Sequence, residues 1–260
     1  MVAISLAFAA PTWASICPGA PTPLSPSFTN PTGCTVGNNQ FSNFVVGTVP
    51  LSPPPTIING VTLADTTWPT PPTATTVNLN SAAGGGIDLT TPGFCGTPTA
   101  SITPNTFCIG GGPAPGVGYN LASTITYDLH AVSGSISQLV LDGTVVSHSS
   151  GASGATAVVF REFCLGTTIF SQSCSNYGVL QVGAVNGNFT TLTQSASTMF
   201  TGVTDIAIRD TVYLQTFGPT GEYSGVESFD LLTTPEPATL GMVGLALAGL
   251  GALRFRKRKG

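Results

Sequence analysis

Between residues 124 and 131 the chain alternates without a break. Ile125, Tyr127, Leu129 and Ala131 are apolar, and Thr124, Thr126, Asp128 and His130 between them are polar. A two-residue period puts alternate side chains on opposite faces of an extended strand, one toward a core and one toward water. No stretch before residue 235 carries the 3.6-residue period of an amphipathic helix. Further runs rich in Val, Ile, Thr, Phe and Tyr are bounded by Gly, Pro, Asn or Ser. They predict strands over 41–49, 136–141, 144–146, 155–164, 177–185, 189–193, 203–217 and 225–232. Asp142-Gly143 and Asn186-Gly187 read as hairpin turns. The expected body is all-β, an antiparallel β-sandwich or jelly roll.

Proline and glycine punctuate the first half. Pro53-Pro54-Pro55 and Pro71-Pro72 suit edge loops or extended segments rather than central strands. Residues 81–118, with Gly84-Gly85-Gly86 and Gly110-Gly111-Gly112, read as a long loop excursion. Neither triple glycine leads from a strand into a helix, so a flexible loop is expected there rather than a phosphate cradle.

Six cysteines are present: Cys17, Cys34, Cys95, Cys108, Cys164 and Cys174. An even count suits disulfides in an exported chain, and six allow about 15 pairings. Pairing of neighbours (17–34, 95–108, 164–174) closes three short loops and is the simplest scheme. No C-x-x-C spacing supports a metal site, and no cofactor motif is present.

Charge is scarce. Residues 1–234 hold ten acidic residues against two basic ones, Arg161 and Arg209, a net of −8. Such a body should not bind nucleic acid electrostatically.

The two ends differ from the body. Residues 1–14 resemble the apolar part and small-residue end of a secretory leader, with cleavage expected after Ala14 or, in competition, at Ala7-Phe8-Ala9. At the other end, Pro235-Glu236-Pro237 is followed by an uncharged run over 238–253. As a helix those residues span about 24 Å, slightly short of the roughly 30 Å hydrocarbon core. Snorkelling of Arg254 and Arg256, or local bilayer thinning, can cover the difference. Arg254, Arg256, Lys257, Arg258 and Lys259 hold five of the chain's seven cationic side chains, so the C-terminus is expected to stay cytoplasmic.

This order of Pro-Glu-Pro, apolar run and basic tail resembles the PEP-CTERM sorting signal of Gram-negative exported proteins. The resemblance implies recognition of Pro235, Glu236 and Pro237 by an exosortase, an integral-membrane processing enzyme. It also implies passage through the inner membrane and an exopolysaccharide or biofilm setting. The expected organisation is a leader over 1–14, an exported all-β domain over 15–233 and a sorting unit over 234–260. That unit includes one transmembrane helix.

Little in the body speaks of chemistry. No nucleophile elbow, H-E-x-x-H pair, P-loop or EF-hand loop occurs. His130 and His148 are the only histidines and read as surface residues. Glu162, Glu222, Glu227, Asp205 and Asp210 are available for a glycosidase-like pair, although solvated surface positions are expected for most. Trp68, Tyr119, Tyr177, Tyr213 and Tyr223 are eligible for sugar stacking. The expected function is a non-enzymatic surface or extracellular-matrix protein. A carbohydrate-binding β-sandwich and a secreted hydrolase are the alternatives.

Overall fold

The computed structural model describes residues 15–24, 33–48, 56–67, 73, 76–91, 107–110, 118–148, 154–187, 191–217 and 222–235. The expected leader, Cys95, Trp68 and everything from Glu236 onward lie outside the described residues.

The short early strands are β1 (Ser15–Ile16), β2 (Thr22–Pro23), β3 (Cys34–Val36), β5 (Ile57–Ile58) and β6 (Val61–Thr62). Among them runs the longer β4 (Asn39–Thr48), and then come β7 (Asn78–Ala82), β8 (Gly86–Thr90) and β9 (Cys108–Gly110). The second half holds the long strands: β10 (Asn120–Ala131), β11 (Ile136–His148), β12 (Ala155–Leu165) and β13 (Tyr177–Gly187). They are followed by β14 (Leu192–Val203), β15 (Asp205–Gln215) and β16 (Tyr223–Pro235).

Two sheets form, with orders β1-β3-β4-β10-β15-β12-β13 and β14-β11-β16-β8-β7-β2; β9 adds to the second through β16. Pairing is antiparallel throughout these sheets except between β1 and β3. Leu121, Ile125, Leu129, Ile208 and Val212 of the first sheet share one core with Leu139, Leu141, Phe229, Leu231 and Ile87 of the second. This is the expected sandwich, each buried Leu, Ile or Phe contributing about 1.5–3 kcal/mol. The alternation over 124–131 is realised on β10, where odd-numbered residues are buried and even-numbered ones face outward.

Three local expectations are corrected. Asp142-Gly143 makes no turn, because β11 runs through both residues. Gly143 serves packing instead: a Cβ there would come within 2.7 Å of Val182 Cγ2, where the two sheets approach. Nor does Asn186-Gly187 close a hairpin. β13 belongs to the first sheet and β14 to the second, so the chain crosses the sandwich between them. Finally, part of the excursion over 81–118 is ordered sheet. Ala82 pairs with Gly86 across a three-residue turn, with Gly84 (φ 73°) and Gly85 (φ 80°) left-handed.

Cys17 bonds Cys34, tying the residue after β1 to β3, and Cys164 bonds Cys174, closing the loop after β12. Cys108 is also disulfide-bonded, while Cys95, the neighbour in the simplest scheme, lies outside the described residues.

Candidate functional site

The outer face of the first sheet is partly covered. At one end the β5–β6 hairpin packs Ile58 and Leu63 onto Ala122, Val158, Phe160 and Tyr213. Further along, the disulfide-closed segment between Cys164 and Cys174 brings Phe170 over the sheet. Beside that segment opens a groove of about 410 Å³, lined by Asn43, Thr126, Asp128, Thr168, Phe170 and Arg209, among others.

A β-bulge builds one wall. The β4–β10 register shifts between Thr126 and Asp128, so Asn43 and Phe44 share the space of one residue. Asn43 takes φ 57°, an uncommon conformation for a residue with a side chain. The bulge carries its amide to β10, where Asn43 Nδ2 donates to Asp128 Oδ2 at 2.6 Å. Burial raises the Asp128 pKa and nearby Asp205 adds to it, against the Asn43 hydrogen bond. Next to it, His130 Nδ1 lies 2.8 Å from Asp205 Oδ1. Burial acts to raise the Asp205 pKa, but the His130 and Thr204 hydrogen bonds outweigh it and hold this carboxyl below its usual range.

Arg209 forms the opposite wall. Nε donates to Glu162 Oε2 at 2.7 Å and Nη2 to Oε1 at 2.8 Å. Its guanidinium carbon sits 4.5 Å from the Phe170 ring centroid, at cation–π distance. Glu162 also accepts from Gln172 Nε2 at 2.7 Å and from the Tyr177 hydroxyl at 2.6 Å. Burial, then the Glu162 hydrogen bond, pushes the Tyr177 pKa well up. The arginine charge is therefore compensated before any ligand arrives.

These contacts redistribute the residues nominated from sequence. Glu162 and Asp210 are fully buried, Glu162 held by Arg209 and Asp210 by Arg161, against the expectation of solvated positions. Glu222 is buried too. Asp205 pairs with His130, and exposed His148 stacks on Tyr223 at 5.7 Å. Of the nominated aromatics, Tyr213 is covered by the β5–β6 hairpin, Tyr119 packs against the core and Tyr177 is tied to Glu162. Phe170, which the sequence reading passed over, lines the groove. Asn43 was also missed, because nothing in its local sequence announces a bulge.

Three carboxylates do meet, and none of them was among those nominated from sequence. Asp142, Asp230 and Asp88 stand opposite one another on β11, β16 and β8, flanked by Ser195 and Asn80. Burial first, then the Asp88 hydrogen bond and the charges of Asp88 and Asp142, raise the Asp230 pKa to about 7. Among the described residues no group of His, Cys, Asp and Glu is arranged to hold a metal ion.

At the C-terminal end, Pro235 closes β16 opposite Ile136 on β11. Glu236, Pro237, the run over 238–253 and the basic tail lie outside the described residues. Among those described, no helix is long and apolar enough to cross a membrane.

Residues 233–258 match the family model described as the PEP-CTERM protein-sorting motif. No curated protein matches the chain. Among solved structures, TmCBM61 in complex with beta-1,4-galactotriose is similar at 10% identity and a TM-score of 0.27, over 45% of this chain and 68% of that one. A structure of infectious bursal disease virus, Gt strain, is similar at 14% identity and a TM-score of 0.12, over 84% of this chain and 71% of that one.

Proposed function

We propose that this chain, which carries a PEP-CTERM sorting motif at residues 233–258, is a non-enzymatic exported protein of the cell surface or extracellular matrix. The motif implies export, a precursor anchored in the membrane at its C-terminus, and processing by an exosortase. One observation carries the reading: the motif continues directly from the last strand of the sandwich, with Pro235 still paired to Ile136. The β-body is then the cargo and the tail its address. The basic tail stays cytoplasmic during sorting, by the positive-inside rule, and the body comes to rest at the outer surface or in an exopolysaccharide matrix.

A binding or structural role fits the body better than catalysis. Glu162 and Asp210 are each committed to an arginine, which removes them as free acid or base. The carbohydrate-binding alternative draws its support from the groove beside Phe170.

The test is intact mass and cell fractionation in the native host, with Glu236→Ala beside the wild type. Release of a wild-type body lacking the tail, together with retention of full-length Glu236→Ala in the inner membrane, supports sorting through this motif. Equal release of both proteins overturns it.

A further inference from the structure

The groove on the outer face of the first sheet combines four features. First, its wall is built at a conformational cost: Asn43 sits at φ 57° in a bulge that re-aims its amide at Asp128. A non-glycine residue in this region costs roughly 1 kcal/mol or more, and such positions gather at ligand sites. Second, hydrogen-bonding capacity is left over. Asn43 occupies Oδ2 of Asp128, and Oδ1 has no hydrogen-bond partner among the described residues. Thr126 and Thr168, each with a hydroxyl to offer, line the same space. Third, one wall is apolar, supplied by the Phe170 ring, which the Cys164–Cys174 bond and the Arg209 contact hold over the sheet. Fourth, the volume of about 410 Å³ falls within the range of small-molecule sites.

Charge then selects the ligand. Arg209 already has both oxygens of Glu162, so no uncompensated cation is offered to an anion. Asp128, and a body of net charge −8, repel acidic groups. What satisfies a carboxylate acceptor, two hydroxyls and an aromatic wall together is a neutral molecule with adjacent hydroxyls on one edge and C–H groups on the other. We propose that this groove binds a neutral saccharide unit, with Asp128 and Asn43 taking its hydroxyls and Phe170 packing against its C–H face.

The proposal rests on the reading of the body as an exported binding domain, and its failure is separable from failure of sorting. Sorting is read by mass and fractionation, whereas the groove is read by binding. The experiment takes the full chain in detergent. It measures binding of neutral hexose tetrasaccharides of differing linkage, with uronic acid tetrasaccharides and Ca²⁺ alone as the contrasting probes. Neutral tetrasaccharides are expected to bind and uronic ones not. Asp128→Asn and Phe170→Ala should each weaken binding at least about tenfold, on the scale of one lost charged hydrogen bond or ring contact. Asn43→Gly keeps the left-handed backbone while removing the amide, and should weaken binding likewise. Thr193→Ala, on the second sheet, should leave it unchanged. Absence of binding to every neutral tetrasaccharide overturns the proposal. So does preference for uronic probes or for Ca²⁺, or affinity that survives all three groove substitutions.

Discussion

Arg161 on β12 and Asp210 on β15 form a two-pronged ion pair on the inward face of the first sheet, with Nε–Oδ1 at 2.7 Å and Nη2–Oδ2 at 2.8 Å, and both side chains fully buried. The Tyr127 hydroxyl donates to the same Oδ2 at 2.8 Å. Nη1 of Arg161 reaches the opposite sheet, donating to the Val140 carbonyl at 3.2 Å and the Asp230 carbonyl at 2.9 Å. Burial opposes the arginine charge, but Asp210 outweighs it and raises the pKa. Burial also raises the Tyr127 pKa well above normal, keeping the hydroxyl protonated as a donor. The cluster thus bolts one sheet to two strands of the other.

Removing one member should be severe. Arg161→Met leaves Asp210 buried without its countercharge, and a broken buried pair costs about 3–5 kcal/mol. Arg161→Met combined with Asp210→Leu should recover much of that loss, since both charges are then gone. Denaturant unfolding with disulfides intact tests this. A double variant no more stable than Arg161→Met alone would contradict the ion-pair account.

The acidic row on the second sheet should make stability fall as pH rises. Asp230 has a pKa of about 7 in the fold, against roughly 4 in the unfolded chain. Between those values the folded state holds the extra proton, so unfolding releases it. The contribution is fully present below about pH 4 and is lost as pH climbs toward 7. Asp230→Asn should flatten this slope in melting experiments from pH 4 to 7. An unchanged slope would show that Asp230, beside Asp88, Asp142 and Arg161, is not its source.

The bulge predicts an order among substitutions at Asn43. Val is β-branched and poorly suited to φ 57°, so Asn43→Val should destabilise by about 1–3 kcal/mol. Asn43→Gly should cost less, because glycine accepts the conformation and only the Asp128 hydrogen bond is lost. Thermal unfolding of the two variants decides; a valine variant at least as stable as the glycine one sinks the strain argument.

The Cys164–Cys174 bond closes a ten-residue separation. Replacing both cysteines with serine should cost about 2–3 kcal/mol on the loop-entropy account. It should also release Phe170 from Arg209, so groove binding should weaken more than global stability does. Comparing melting with saccharide affinity in the double variant separates the two effects.

The strand character of the body and the outward face of Asp128 and His130 were legible from local alternation alone, because a period of two is a property of consecutive residues. Arg161 also left a trace: it is one of two cations in the body and interrupts an apolar run, as Asp210 follows Arg209 in another. The expectation of a solvated Asp210 failed because a charge can be buried when its partner is brought to the same depth from a strand distant in sequence.

The β class, the sorting motif at Pro235-Glu236-Pro237 and the poverty of charge are all legible locally, since each is written in neighbouring residues. That β11 runs straight through Asp142-Gly143 follows from long-range packing, because Gly143 is needed where Val182 approaches. Register alone aligned Asp142, Asp230 and Asp88. The groove likewise joins Asn43, Asp128, Phe170 and Arg209, four residues from three strands and a loop. Such meetings depend on strand pairing across long separations, and local periodicity carries no information about partners.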